Sequence, residues 1–102
     1  MGDPSVDLDA QATPARGDHV YTVVLDGEAV LLDERENRLH LLNHTATLLW
    51  QLYDGVTTLA QLAEEISDEL ALERDHEREA VLDDLVAVTR HLAEEGLLAH
   101  DG

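Results

Sequence analysis

The chain has 102 residues, 44% of them hydrophobic, which suffices for one domain with one modest core and leaves no room for separate catalytic and binding domains. It contains no cysteine, excluding disulfides, thiolate metal sites and a cysteine nucleophile, and it has no apolar run of about 18 residues, so no segment is expected to cross a membrane. Twenty-three acidic residues against six arginines and no lysine give a formal net charge of −17, which repels phosphate backbones and weighs against nucleic acid as a partner.

The same acidity favours a basic peptide or a basic patch on a partner protein, and it also keeps a small domain soluble. The N-terminus lacks the basic and apolar regions of a signal peptide, so the expected location is the cytoplasm.

Residues 1–18 contain Gly2, Pro4, Pro14 and Gly17 without periodicity and are expected to form a disordered or loosely attached arm ahead of a domain over residues 19–100. The pattern changes at His19. Val20–Leu25 is β-branched and aromatic, Asp26-Gly27 is the dipeptide of a two-residue primed turn, and Glu28 to Leu32, again apolar-rich, returns as a second strand, making a hairpin. After a polar turn ending in Asn37 comes a third strand, Arg38–Leu42, whose alternation puts Leu39 and Leu41 on one face and Arg38 and His40 on the other.

Asn43 is placed to cap a first helix over residues 44–53, where Ala46, Leu49, Trp50 and Tyr53 recur at helical spacing and the only Trp is expected where sheet meets helices. Gly55 ends it. Thr58 and Gln61 form a capping box for a second helix over residues 59–71, burying Leu59, Leu62, Ala63, Ile66 and Leu70. Asp75 is the expected cap of a third helix over residues 76–95, ended by Gly96. On that helix Val81, Leu85, Val88 and Leu92 form one apolar stripe, and Leu82, Val86, Thr89 and Ala93 form a second beside it. The arc is wider than one neighbouring surface covers, which points to a groove margin or an oligomer contact.

Sites of chemistry are sparse. His40 and His44 are four apart but straddle a strand-to-helix junction, and His19, His76, His91 and His100 have no ligand spacing, so no metal site is expected. The carboxylate pairs Asp83/Asp84, Glu64/Glu65 and Glu94/Glu95 lie beside apolar stripes as solvated faces do, and Ser5 and Ser67 lack a nucleophile turn. No phosphate-binding glycine loop is present. The chain alone is therefore not expected to be an enzyme or to hold a cofactor.

The segment from Leu39 to Asp54, read with Gly27-Glu28-Ala29-Val30-Leu31-Leu32-Asp33 before it, Val56-Thr57-Thr58-Leu59 after it, and the Leu92-Ala93-Glu94-Glu95-Gly96-Leu97-Leu98 ending, resembles the PqqD-like family of small leader-peptide-binding domains. These are the RiPP recognition elements, named for ribosomally made, post-translationally modified peptides. Asn37 stands where family members usually carry Gly, and Leu-Asn-His-Thr-Ala replaces the more usual Leu-Asn-Pro-Thr-Gly at the first helix. Three strands and three helices suit several α+β packings; the resemblance implies a winged helix-turn-helix fold, with a three-stranded antiparallel sheet as the wing.

The resemblance further implies a non-catalytic adaptor whose third strand accepts the leader segment of a precursor peptide as an added antiparallel strand, in a cleft beside the third helix. On this reading the peptide-binding residues are Arg38, Leu39, His40 and Leu41 on the strand, with Leu82, Asp84, Leu85, Val88, Thr89 and Leu92 on the helix. Burial statistics place Leu39, Leu41, Leu85 and Leu92 in the core rather than at a contact, whereas Asp84 and His40 are polar groups suited to pairing with leader side chains. Expected partners are the leader peptide and a leader peptidase, a cyclase or a radical SAM enzyme, a lasso-peptide pathway being favoured. The protein would be a monomer or a weak or swapped dimer. The alternatives are a winged-helix transcription regulator, which the acidic third helix disfavours, and a dimeric structural module.

Overall fold

A computed structural model describes residues 9–99. Three strands, β1 (Val20–Leu25), β2 (Glu28–Asp33) and β3 (Arg38–Leu42), are followed by three helices, α1 (His44–Leu52), α2 (Leu59–Glu69) and α3 (Asp75–Glu94). The sheet is antiparallel in the order β1-β2-β3. This is the α+β architecture expected, and it has the form of a winged helix-turn-helix.

The β1–β2 hairpin closes through Asp26 and Gly27, both at positive φ (54° and 80°), as a primed two-residue turn requires. Asn37 takes the left-handed position in the β2–β3 turn (φ 55°), a conformation its short polar side chain tolerates. Side chains of Ala29, Leu31 and Leu42 are buried on the inner face, over α1.

Asn43 caps α1 by accepting a hydrogen bond from Ala46 N–H at 2.8 Å. The helix then fastens to the sheet twice. Ala29 N–H donates to Thr47 Oγ1 (2.8 Å), and that hydroxyl donates to Leu42 O (3.3 Å), so a buried side chain from α1 bridges β2 and β3 at the end of their ladder. Trp50, fully buried, donates from Nε1 to Thr22 Oγ1 on β1 (2.8 Å) and meets Tyr53 edge-on, with ring centroids 5.9 Å apart.

The Thr58–Gln61 capping box starts α2, which buries Leu59, Leu62, Ala63 and Ile66; Leu70, expected in that core, is exposed and forms the C-cap. Ala71 follows in the left-handed conformation (φ 57°) and closes the helix earlier than expected. At α3 the cap is Arg74 rather than Asp75: Asp75 lies inside the first turn, where its charge suits the positive end of the helix dipole. Arg78 ties α3 to α2 through Glu64 (2.8 Å) and Asp68 (2.7 Å).

Residues 9–18 correct the expectation of a loose arm, while residues 1–8 of that arm lie outside the described residues. Carbonyls of Ala10 and Ala12 accept from Ala60 and Leu59 N–H, the otherwise unpaired donors at the start of α2, and Pro14 O accepts from Gly55 N–H. Gly17 N–H then donates to Leu97 O, and Ala99 N–H donates to Ala15 O. Main-chain bonds carry this strap, so no side-chain periodicity announces it.

In the core, Tyr53 Oη and Thr89 Oγ1 share a 2.7 Å hydrogen bond, and burial pushes the Tyr53 phenol well above its ordinary pKa despite that bond. Tyr53→Phe and Thr89→Val should each destabilise by about 1–3 kcal/mol because each strands a buried hydroxyl or leaves a void. The double variant should cost less than the sum. Urea unfolding of the four proteins measures the coupling, and strict additivity would contradict it.

Candidate functional site

Among the described residues only β2 is paired on both sides, so β1 and β3 each offer an open edge there. The phase of the ladder fixes what β3 presents. The two-residue turn makes Leu25 and Glu28 a hydrogen-bonded pair, and the bond from Glu34 N–H to His19 O at the far end has the matching parity. Alternation therefore turns the main-chain groups of Ala29, Leu31 and Asp33 toward β3, where Arg38, His40 and Leu42 meet them. The N–H and C=O groups of Leu39 and Leu41 point away from the sheet.

The side chains of these two leucines lie on the outer face, 67% and 81% exposed. The core placement favoured for them by burial statistics is overturned: β3 does alternate, but its inner face carries Arg38, His40 and Leu42. Leu39 and Leu41 continue an outer row that includes exposed Tyr21 and Val23 on β1, with Leu32 and Val30 between them in register.

Arg38 Nη2 lies 3.6 Å from Glu95 Oε1, linking the start of β3 to the end of α3. At 100° per residue, Val81, Asp84 and Val88 share the helix margin of Glu95 to within about 40°. Val81 and Val88 are half-buried and Asp84 is exposed. Leu82 falls about 140° round the helix from Glu95, off this margin. Leu85, Thr89 and Leu92, expected on the helix wall, are instead fully or almost fully buried (0%, 0% and 2% exposed) and form the core behind it. Arg38, Leu39, His40 and Leu41 lie along the edge strand, and the Arg38–Glu95 contact joins the start of that strand to the C-terminal end of α3, whose side toward Glu95 also carries Asp84 and Val88.

A polar cluster underlies the edge. Asp33, buried, accepts hydrogen bonds from Arg35 and Glu36 N–H (2.9 and 3.2 Å) and lies 3.9 Å from His19 Nε2, which itself donates to Gly96 O at 2.8 Å. Burial works to raise the Asp33 pKa, but the two amides and the nearby imidazoles of His19 and His40 outweigh it and hold the carboxyl below its ordinary value. His40 is half-buried, and its Nε2, inaccessible to solvent, has no hydrogen-bond partner among the described residues.

His44 is exposed at the β-turn, with Nδ1 3.3 Å from Gly27 O. Among the described residues no three His, Asp or Glu side chains are arranged to hold a metal ion, and no helix is long and apolar enough to cross a membrane. His100 lies outside the described residues. A shallow cleft between α1 and α2, lined by Leu48, Gln51, Leu52, Glu65, Ile66 and Glu69, contains none of the expected site residues.

The model of the family described as coenzyme PQQ synthesis protein D (PqqD) matches residues 28–98, from the second strand to the segment after α3. The chain belongs to the PqqD family. Two solved structures resemble this PqqD-family domain. TbiB1 in complex with the TbiA(beta) leader peptide superposes with a TM-score of 0.72 at 24% identity, covering 86% of this chain and 98% of that one. A lasso peptide synthetase B1 complexed with the leader peptide gives a TM-score of 0.68 at 27% identity, covering 87% of this chain and all of that one. Comparison with curated proteins gives no match.

Sequence reasoning missed Val81, Glu95, His19 and Asp33. Glu95 was legible in principle, since it follows Val88 by seven residues on the same helix. Asp33 carried the signal of an Asx turn at a strand end. The sign of the Asp33 shift predicts acid behaviour: a depressed folded-state pKa adds stability present above the unfolded value, and that stability is lost as pH falls from about 4 through the folded value. Acid titration followed by circular dichroism should show a shallower loss in Asp33→Asn than in the wild type over that range, and identical slopes would contradict the assignment.

Proposed function

We propose that this PqqD-family domain is a non-catalytic adaptor that binds the leader segment of a ribosomally made precursor peptide by strand addition to β3, and presents it to separate processing enzymes. The observation that carries the reading is the open β3 edge, where Leu39 and Leu41 offer two N–H and two C=O groups to an incoming strand. The Arg38–Glu95 contact that brings the end of α3 to the start of this edge supports it, and so do solved relatives of the same fold that are leader-peptide complexes. The lasso-type likeness favours a leader peptidase and a cyclase as the enzymes served over a radical SAM enzyme. A cytoplasmic site of action fits a cysteine-free acidic domain.

Four main-chain bonds contribute roughly 0.5–1.5 kcal/mol each. Two or three apolar anchors add roughly 1.5–3 kcal/mol apiece, against an association cost of about 4–15 kcal/mol. The balance is binding near micromolar or somewhat tighter, suited to a peptide that must be handed on. A duplex-binding role is disfavoured by the net charge and by Asp83, Asp84, Glu77 and Glu79 on α3.

The test is titration of the labelled leader of the precursor peptide encoded with this protein. Leu41→Pro removes an outward N–H of β3 and should weaken binding by about tenfold or more, whereas Val24→Pro, which removes an outward N–H on the opposite edge, should leave it unchanged. Equal affinity for wild type and a folded Leu41→Pro variant would refute strand addition. Asp84→Arg should slow association of a basic leader at low salt while leaving dissociation little changed, and stopped-flow rates that do not differ would remove the steering role.

A further inference from the structure

Main-chain bonds are indifferent to sequence, so strand addition alone leaves open which side chains the domain reads. The outer face of the sheet narrows this. In register it carries two apolar rows that cross all three strands, Tyr21-Leu32-Leu39 and Val23-Val30-Leu41. Leu32 and Val30, on the central strand, have a row neighbour on either side and are half-buried. Leu39 and Leu41, where the rows end at the β3 border, have one on one side only and are mostly exposed. Large apolar side chains at an open strand border are a liability in a free protein, and contiguous exposed apolar surface marks a place where something docks.

A strand added antiparallel to β3 continues both rows. It sets one residue opposite each leucine in a hydrogen-bonded pair, and the two side chains of such a pair lie on the same face of the sheet. Cα atoms in these pairs are about 5.5 Å apart, so a small side chain leaves the leucine uncovered, whereas a branched or aromatic one packs against it. The main-chain bonds of Leu39 and Leu41 and the contacts of their side chains thus fall on the same two residues of the incoming strand. Covering these leucines repeats what β3 itself does for Leu32 and Val30.

We propose that Leu39 and Leu41 are specificity-determining residues of the edge: each selects a large apolar side chain, branched or aromatic, at the leader position facing it. Because the added strand runs opposite to β3, the residue facing Leu41 comes first and the residue facing Leu39 comes two positions later. The outer side of the leader is therefore read as an apolar residue, any residue, then a second apolar residue. The inference rests on the adaptor reading and adds to it the class of side chain that is read and the order in which the two leucines read it.

The test is a displayed library of the leader of the co-encoded precursor, each position varied singly, sorted against the full-length wild type and its Leu41→Arg, Leu39→Arg and Leu41→Thr variants. Both positions are exposed, and threonine keeps the preference for a strand. Wild type should favour large apolar residues at two positions separated by one residue, and serine at either should weaken binding about threefold. Leu41→Arg should turn the first of these positions toward Asp or Glu and leave the second apolar, and Leu39→Arg should do the opposite. Leu41→Thr should reduce the effect of serine at the first position to under 1.5-fold, roughly the low end for such a pair. Preferences that stay the same in all three variants would assign the leucines to another occupant, a second copy or a processing enzyme, and would overturn the inference while leaving the adaptor reading intact. So would the two positions responding in the reverse order. A leader that does not bind the wild type would overturn the adaptor reading and this inference with it.

Discussion

The structure depends on the seam between α1 and the inner face of the sheet. Three short strands with one apolar face are marginal alone, and they acquire a fixed geometry only where a helix covers that face. Here α1 does so with two polar fasteners inside an apolar contact. Thr47 bridges Ala29 and Leu42, and Trp50 reaches Thr22 on the far strand. A wing held this way is rigid across its width although β3 has a neighbour on one side only. That rigidity matters for strand addition, because an edge already in extended conformation offers its donors and acceptors without first being ordered.

Charge sets the terms on which such an edge can exist. An open strand border carrying two exposed leucines, continuous with an apolar outer face, resembles the surfaces through which proteins pair edge to edge. The usual safeguards are inward-pointing charges, proline or a bulge, yet β3 lacks proline and the groups pointing off its edge belong to Leu39 and Leu41. The net charge of −17 supplies a safeguard at longer range, since two copies repel before their edges meet. It does not oppose a basic or neutral peptide. A vacant edge is thereby reconciled with solubility.

How much of this was legible in the chain can be judged from particular residues. The hairpin, the Asn43 cap, the Thr58–Gln61 box and the place of Trp50 follow from local rules, and all depend on neighbours close in sequence. What was not legible depends on which face of an element turns inward. Leu39 and Leu41 look like core by type, and only the full register shows that the inner face of β3 belongs to His40 and Leu42. The third helix misled in the opposite sense: Leu85 and Leu92 were candidates for the wall, but an apolar arc has a centre and two margins, and sequence does not say which is which. The 3.6 Å contact between Arg38 and Glu95 identifies the margin toward β3, and no local pattern foretells a pair so distant in the chain. The strap of residues 9–18 escaped notice because carbonyls, which every residue has, do its binding.

The recognition site proposed at this border, rather than at β1, the other open edge, lies over the polar cluster at the wing tip. On β1 the inner residue Thr22 accepts a hydrogen bond from Trp50, which engages its hydroxyl in holding the sheet to α1. Beside β3 the carboxylate of Asp33 orders the β2–β3 turn, and His19, just ahead of β1, donates to the carbonyl of Gly96 after α3. His40 Nε2, closed to solvent, has no hydrogen-bond partner among the described residues. Both borders can add a strand by main-chain bonding, and β3 is the one tied to the end of α3 through Arg38 and Glu95. Discrimination between peptides requires side-chain contacts beyond the strand pairing, because affinity from the backbone alone would accept any extended chain.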